Sequence, residues 1–360
     1  MKKIGKQTIQ FDLYPQVIAA SSIVGPHEKK GPLGDFFDKI IEDGYNHQNT
    51  WEDAQIKMAE DVIKSTLSKA KLSQEQIDYL LAGDLLNQTA ASNFAAEKFS
   101  IPFLGLFGAC STIIEALIVA AIMIEGNAAN NALTFTSSHY QATERQFRTP
   151  NEYGDKYPPY KQKTVTAAGG ILLDKKEGGC QIKEATVGKV VNLGIKDAQD
   201  LGSAMAPAAA DTILQHFQDT GRTPDDYDLI ITGDLGKLGK EMLLNLLKEQ
   251  GFEVNNSYQD CGIKIYNEQQ KVGAGGSGCG CSAAVLASYL LPKLMFGKLN
   301  RIFILGTGAL LNPTTTLQKH SIPAIAHGVV IESTGNVKLG IGNQNSKQIL
   351  GKSINDKGSN

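Results

Sequence analysis

The octapeptide from Asp78 to Leu85 reads DYLLAGDL, and it has a counterpart downstream, DLIITGDL, from Asp228 to Leu235. Each is a short hydrophobic strand that ends in Gly-Asp-Leu. Each strand also follows a segment with a helical pattern. The interval from Asp61, in the first helical segment, to Asp78 equals the interval from Asp211, in the second, to Asp228. Repeated helix–turn–strand units of this kind indicate an internal repeat.

A second matched pair follows the first in the same order. Cys110-Ser111 opens an apolar helix that reaches Gly126, and a strand follows over 132–136. Cys281-Ser282 opens another that reaches Gly297 over an equal length of chain, and a strand follows over 301–305. Two matched pairs in one order predict an internally duplicated α/β fold.

The composition narrows the class of protein. The chain has 360 residues, of which 42% are hydrophobic and 20% charged, so it can bury a large core. A formal net charge of −2 gives no electrostatic reason to expect nucleic-acid binding. The longest apolar run, 116–124, is too short to span a bilayer, and the basic residues at the N-terminus lack the apolar region of a signal peptide. Five cysteines, an odd number, suit a reducing compartment.

The chain divides into an N-terminal half over 1–190, a C-terminal half over 191–335 and a polar tail over 336–360 that we expect to be weakly structured. Residues 140–163 interrupt the first half and predict a long functional loop, because Pro158-Pro159 forbids a continuous helix. This loop combines aromatic and cationic side chains: Tyr140, Tyr153, Tyr157, Tyr160, Arg145, Arg148, Lys156, Lys161 and Lys163.

Cys110 is the first candidate for chemistry. It follows a short apolar strand and opens a buried helix, and the field of a helix N-terminus lowers the pKa of a thiol and favours the nucleophilic thiolate. The alternative is a small buried cysteine packed at a helix start.

The chain resembles the thiolase superfamily, and most closely its ketoacyl-carrier-protein synthase III branch. The resemblance rests on the strand–Ala-Cys-Ser–helix arrangement, on the duplication and on Ala167–Leu173, which closes the first half. It implies a five-layer αβαβα fold and a homodimer. It also implies that Gly306 and Gly308 belong to a glycine-rich loop that helps to form an oxyanion hole.

Two departures from that branch argue against condensation. Where the condensing enzymes carry a catalytic His and a catalytic Asn, this chain aligns Gly233 and Gly280, and no His lies between His216 and His320. Glycine neither moves a proton nor donates a side-chain hydrogen bond to an oxyanion. The resemblance therefore implies a non-catalytic protein, with an acyltransferase that uses Cys110 and a different base, or a scaffold with a vestigial pocket, as alternatives.

A chain that has this cysteine but lacks the catalytic His and Asn resembles the stage V sporulation protein AD family of endospore-forming bacteria. The motifs are Asp84-Leu85-Leu86-Asn87-Gln88, the segment 107–112, Ser137-Ser138-His139 and the segment 275–280. The resemblance implies a protein that binds dipicolinic acid, free or as its calcium chelate, and that has no other cofactor. It also implies synthesis in the forespore cytoplasm, integral membrane partners and a peripheral location at the spore inner membrane, where the protein serves uptake of the ligand and its release in germination.

A ligand with two carboxylates and an aromatic ring gives the other candidate residues a physical rationale. In the 140–163 loop, Arg148 and Lys161 suit the carboxylates and Tyr160 suits the ring, although a solvated surface loop is the alternative. His139 follows a strand end and either binds a carboxylate or is a structural histidine. Asp84 belongs to the Gly-Asp-Leu motif, where a structural cap is the alternative, and Asn87 follows it in the segment Asp84–Gln88.

Two motifs do not support a site. The segment 273–278 matches G-x-G-x-x-G but follows a polar stretch instead of a buried strand, so we do not expect dinucleotide binding. Cys279-Gly280-Cys281 lacks a second pair of metal ligands and indicates small residues at a helix start.

Overall fold

A computed structural model describes residues 1–147, 158–254, 257–336 and 340–355. The strands are β1 (Lys2–Ile4), β2 (Thr8–Gln10), β3 (Gln16–Val24), β4 (Lys39–Ile40), β5 (Tyr79–Asp84), β6 (Phe103–Gly105), β7 (Asn131–Ser138), β8 (Gln162–Thr164), β9 (Ala167–Asp174), β10 (Cys180–Thr186), β11 (Leu229–Thr232), β12 (Tyr258–Asp260), β13 (Gly275–Ser277), β14 (Arg301–Ala309) and β15 (Ala324–Ser333).

The α-helices are α1 (Pro26–Lys29), α2 (Trp51–Ala70), α3 (Ala90–Glu97), α4 (Thr112–Glu125), α5 (Tyr140–Phe147), α6 (Leu201–Thr220), α7 (Gly236–Glu249), α8 (Cys261–Ile265), α9 (Cys279–Val285), α10 (Leu291–Met295), α11 (Pro313–Leu317) and α12 (Gln344–Asn355). A π-helical turn, Leu286–Leu290, joins α9 to α10.

The strand order confirms the duplication predicted from the sequence. The first half runs β3-β9-β7-β5-β6 and the second half runs β10-β15-β14-β11-β12. In both halves the first two pairings along this order are antiparallel and the next two are parallel. The two halves join edge to edge through two residue pairs between β3 and β10, one of which is Val17 with Cys180.

The helices lie in layers around these strands. Helix α4 contacts β5 and β7 of the first half and β14 and β15 of the second, so it lies between the halves, with α9 beside it. Helices α2 and α3 cover the outer face of the first half, and α6 packs on β14 and β15 with α7 alongside. This confirms the five-layer thiolase-like arrangement. The middle layer is apolar on most sides, as a helix buried between two sheets must be.

Four sequence predictions need correction in detail. Strand β10 already belongs to the second set of strands, so the change of half occurs before residue 190. The 140–163 segment is not one loop, because it begins as helix α5 and ends as strand β8. Cys110 lies in a 3-10 turn, Ala109–Ser111, and the α-helix starts after it. The glycine-rich stretch with Gly306 and Gly308 is strand, not loop.

The tail also has more structure than its composition predicts. Helix α12 packs against α10, and the side chains of Ile341 and Leu350 are buried in the core. Asn343 fixes its start by donating from Nδ2 to three successive backbone carbonyls of residues 35–37, at 2.9–3.0 Å. None of the helices in the described ranges has the length and apolar character needed to cross a bilayer.

Candidate ligand-binding site

A strained turn presents Cys110 at the junction of the two halves. Ala109 has a left-handed backbone with φ of 51°, which costs energy in a residue with a Cβ and often marks functional sites. The turn is held by Ser111, whose backbone N–H donates to the Gly108 carbonyl at 3.0 Å, and by Thr112, whose hydroxyl donates to the Ala109 carbonyl at 2.7 Å. Cys110 itself is 6% exposed.

Strand β14 of the second half passes directly over this turn. A Cβ added at Gly308 would lie 2.2 Å from the Gly108 carbonyl oxygen, and one at Gly306 would lie 2.8 Å from the Ser111 carbonyl oxygen. Only glycine permits so close an approach of two backbones. The two glycines therefore lie against the Cys110 turn, as the sequence led us to expect, but they act by letting a strand pack there.

A narrow cavity of about 50 Å³ reaches the thiol. Its walls are mostly apolar, and the described lining includes one acid, Glu144, but no His, Lys or Arg. A wider groove of about 950 Å³ adjoins the cavity and shares four lining residues with it: Leu85, Phe107, Phe147 and Leu311. The two phenylalanines therefore stand where the groove narrows toward Cys110.

A buried carboxyl group lies beneath the thiol. Asp234 is 1% exposed, and its Oδ2 accepts hydrogen bonds from the Ser277 hydroxyl at 2.7 Å and from the Gly278 amide at 3.0 Å. Its Oδ1 accepts from the Thr307 hydroxyl at 2.7 Å. The Cys110 Sγ lies 3.9 Å from the Ser277 Oγ. Segments of the second half that contain Asp234, Ser277 and Thr307 thus meet beside Cys110, which belongs to the first half.

Of the two alternatives for Cys110, the electrostatics favour the small buried cysteine over the nucleophilic thiolate. Burial raises the pKa of this thiol well above its ordinary value, and the neighbouring Asp234 raises it further. Desolvation outweighs the field of the helix N-terminus here, because the thiol lies in a 3-10 turn and faces a carboxyl group. Burial also raises the pKa of Asp234. Cys110 is therefore a protonated thiol at neutral pH.

The structure assigns Asp84 and His139 to structural contacts. Asp84 accepts hydrogen bonds from the backbone amides of Leu86 at 2.9 Å and Ser92 at 2.7 Å, so it caps the start of the following helix. His139 is fully buried, and its Nε2 lies 2.7 Å from the Gly44 carbonyl. Neither residue lines the Cys110 cavity, so the structure does not bring them together with Cys110, and a ligand contact by either stays a prediction.

The remaining predicted residues are dispersed. Asn87 lines the outer groove but not the inner cavity. Tyr160 is 38% exposed and lies near Asp197, which raises the pKa of its phenol. Lys161 is buried, and its backbone is fixed by hydrogen bonds to residues 158 and 274. Neither Tyr160 nor Lys161 lines the Cys110 cavity. Arg148 lies outside the described residues.

Gly233 and Gly280, which align with the catalytic His and Asn of the condensing enzymes, differ in how much space surrounds them. A Cβ at Gly233 would meet Leu305, Ser282 and Thr307 at 3.4 Å, whereas one at Gly280 would meet the Ala167 carbonyl oxygen at 2.2 Å. The polar side chains nearest the thiol are instead those of Ser277 and Asp234. The recurrence of Gly-Asp-Leu pointed to Asp234, whereas Ser277 was obscured within the G-x-G-x-x-G match.

The other cysteines behave as small packing residues. Cys279 donates to the Ser137 carbonyl at 3.1 Å, and burial raises the pKa of both Cys279 and Cys281 well above the ordinary value. All five cysteines are buried and free. Within the described ranges, no cluster of three or more His, Cys, Asp or Glu side chains is arranged to hold a metal ion.

Comparison with known proteins identifies the family. A family model described as stage V sporulation protein AD (SpoVAD) matches residues 5–332. The stage V sporulation protein AD of Bacillus subtilis (strain 168) is 50% identical over 335 residues, which are 93% of this chain and 99% of that protein.

Solved structures show the same fold at low sequence identity. The 3-oxoacyl-[acyl-carrier-protein] synthase III of Aquifex aeolicus VF5 has a TM-score of 0.54 at 14% identity, covering 88% of this chain and 99% of that one. A variant of OleA from Xanthomonas campestris has a TM-score of 0.57 at 14% identity, covering 90% and 99%. The chain belongs to the stage V sporulation protein AD family, and it has the fold of the condensing enzymes.

Proposed function

We propose that this member of the stage V sporulation protein AD family is a non-catalytic binding protein for dipicolinic acid, and that it takes the ligand at the mouth of the Cys110 cavity as the calcium chelate. One observation carries the proposal. The fold presents a cysteine at the junction of its two halves, but the thiol is held protonated beside a buried carboxyl group, in a cavity whose described lining contains no histidine, lysine or arginine.

The state of the thiol supports a binding role over catalysis. A nucleophilic cysteine needs either a lowered pKa or an adjacent base. Cys110 has a raised pKa, and its polar neighbours are the Ser277 hydroxyl and the Asp234 carboxyl. Asp234 already accepts from three other donors, and its presence raises the pKa of the Cys110 thiol, so this neighbour disfavours the thiolate.

The shape of the mouth supports a planar aromatic ligand. Phe107 is 50% exposed, which is unusual for so large an apolar side chain, and Phe147 lies across the same opening. Aromatic faces bind a planar ring by offset or edge-to-face contacts. The inner cavity of about 50 Å³ holds only a few water molecules, so we place the ring between the two phenylalanines and one carboxylate toward the thiol.

The charge of the lining favours the chelate over the free acid. Free dipicolinate carries two negative charges at neutral pH, whereas the cavity presents Glu144 and no cation among its described lining residues. One bound calcium ion neutralises the ligand, and Glu144 supplies a carboxylate oxygen of the kind that calcium prefers. Thr164 donates to Glu144 Oε1 at 2.9 Å and orients this carboxylate. The calcium is cargo here, held mainly by the ligand.

The wider role follows from the family. We propose that the protein is made in the forespore cytoplasm, is recruited to the spore inner membrane by integral membrane partners, and there serves uptake of dipicolinate into the forming spore and its release in germination. Membership of a sporulation family supports this assignment.

A homodimer is part of the same proposal. Strand β6 ends the strand order and pairs only with β5 among the described strands, so its other edge is open. Two large apolar side chains are exposed here: Leu104, on β6, at 40%, and Phe94, on α3, which contacts β6, at 56%. An exposed apolar edge strand is a ready site for pairing with a second copy.

Calorimetric titration of the purified protein tests the binding function. We expect calcium dipicolinate to bind with saturation, and dipicolinate in the presence of EGTA to bind at least about tenfold more weakly. Cys110→Met, which fills the cavity, should abolish binding, whereas Leu317→Ala, at an 84% exposed position outside the cavity lining, should leave it unchanged. Equal affinity of wild type and Cys110→Met would place the ligand elsewhere. No binding by wild type would favour a scaffold.

The enzyme alternative has its own test. We expect no acyl adduct on Cys110 by mass spectrometry after incubation with acyl-CoA. An adduct that forms and is then transferred to an acceptor would establish an acyltransferase.

A further inference from the structure

A second cavity lies on the other side of the wall that α5 and β8 form beside Cys110. Thr164 and Glu144 face the Cys110 cavity, whereas Lys163, Tyr140 and Gln141 face the second one. This cavity of about 120 Å³ is also lined by Pro26, His27, Glu28, Gly44 and Thr166. Gly44 is fixed by a hydrogen bond between its carbonyl oxygen and the Nε2 of His139, at 2.7 Å.

Two buried polar atoms of residues that line this cavity have no hydrogen-bond partner. Glu28 is 1% exposed, and its Oε1 accepts from the Tyr266 hydroxyl and from the Thr166 amide. Its Oε2 is unpartnered, and so is the Nδ1 of His27. Buried polar groups are almost always paired, and an unpaired one destabilises the folded state. Unpartnered atoms on two residues that line one cavity therefore point to a ligand that pairs with them.

The third group is a cation that attracts Glu28 but does not reach it. Lys163 is half-buried, and its Nζ lies 4.3 Å from the centroid of the Tyr140 ring. The charges of Lys163 and Glu28 favour each other across the cavity, while burial lowers the pKa of Lys163 and raises that of Glu28. Within the described residues, however, no ion pair joins Lys163 to Glu28. Opposite charges on one cavity wall with a gap between them suit a ligand that carries both charges.

We propose that this second cavity binds a small zwitterion of the free amino acid class, with its ammonium group on Glu28 Oε2 and its carboxylate on Lys163 Nζ and His27 Nδ1–H. Burial and the nearby lysines Lys163 and Lys30 lower the pKa of His27, so its ring is neutral and donates from one nitrogen. One water molecule needs roughly 10–15 Å³, so a cavity of about 120 Å³ suits a ligand of the size of glycine or serine.

Titration with L-serine tests the assignment, with two analogues that each lack one charge: ethanolamine without the carboxylate and 3-hydroxypropanoate without the ammonium group. We expect saturable binding of L-serine and at least about tenfold weaker binding of each analogue, since each analogue lacks one of the two charge-assisted contacts. An analogue that binds as well as L-serine would overturn the assignment, and so would the absence of saturable binding.

Variants locate the site. Lys163→Met and Glu28→Gln should each weaken L-serine binding at least about tenfold, whereas Lys30→Met, which removes a nearby charge that does not line the cavity, should not change it. If Glu28→Gln fails to fold, Lys163→Met and the analogues still decide. This inference does not rest on the dipicolinate proposal, because saturating calcium dipicolinate should leave the affinity for L-serine unchanged. Competition between the two ligands would place L-serine at Cys110 and overturn it.

Discussion

Replacing Asp234 by alanine should both destabilise the protein and expose the electrostatic coupling to Cys110. The change leaves three donors without their acceptor: the Ser277 hydroxyl, the Gly278 amide and the Thr307 hydroxyl. Each unpaired buried donor costs about 1–3 kcal/mol, but the two hydroxyls can turn to other acceptors. We therefore expect Asp234→Ala to lower the free energy of unfolding by about 3–6 kcal/mol.

The matched control is Asp84→Ala, the equivalent residue of the first half. Asp84 accepts from two backbone amides of the first half, so its loss should cost about 2–4 kcal/mol without removing the carboxyl group beside Cys110. Urea titration gives the stabilities, and Asp234→Asn, which keeps one acceptor oxygen, provides an intermediate case if the alanine variant does not fold.

The second readout is alkylation of Cys110 by iodoacetamide under native conditions, followed by mass spectrometry. Because Asp234 adds to the burial that raises the pKa of this thiol, its removal should speed alkylation at a fixed pH, whereas Asp84→Ala should not. Cys180, which is fully buried, reports any global unfolding. A loss of less than about 1 kcal/mol together with unchanged alkylation of Cys110 would refute the reasoning.

Three further predictions follow from the same contacts. Gly308→Ala should destabilise the protein by about 1–3 kcal/mol in urea titration, because its Cβ would lie 2.2 Å from the Gly108 carbonyl oxygen; an unchanged midpoint would mean that β14 does not pack on the turn. Burial lowers the pKa of His216 to about 3, so the folded state binds fewer protons than the unfolded state between about pH 6.5 and 3. Stability should therefore be fully present above pH 6.5 and fall as the pH drops, by on the order of 5 kcal/mol from this group, and His216→Gln should flatten the slope; equal slopes would contradict the shift. Leu104→Arg should convert the proposed dimer into a monomer in sedimentation velocity, and a dimer that survives it would place the interface elsewhere.

The sequence predicted the fold well because the repeat can be recognised from the lengths and order of its helices and strands. The spacing from Asp61 to Asp78 and from Asp211 to Asp228 reflects helix–strand units of equal length, and equal units fold into equal strand orders. The segment Ala167–Leu173, quoted from the sequence as the end of the first half, lies within β9, which is buried on both faces and reads as a continuous apolar run.

The site was harder to predict, because it depends on which side chains share a cavity. The sequence placed Cys110 between a short apolar strand and a buried helix, but the state of its thiol depends on burial and on Asp234, which no local pattern encodes. Lys161 and Tyr160 looked suitable for a ligand by residue type, yet they lie outside the cavity lining. Glu144 and Phe147 became visible only once residues 140–147 proved to be a helix with one face toward the thiol.

A crystal structure of the protein with calcium dipicolinate tests the central claim most directly, with calcium located by its anomalous scattering. The account predicts the aromatic ring between Phe107 and Phe147, one carboxylate toward Cys110, and the calcium ion within coordination distance of Glu144. A saturated crystal in which the ligand binds away from Cys110, or in which a covalent adduct occupies its sulfur, would contradict it.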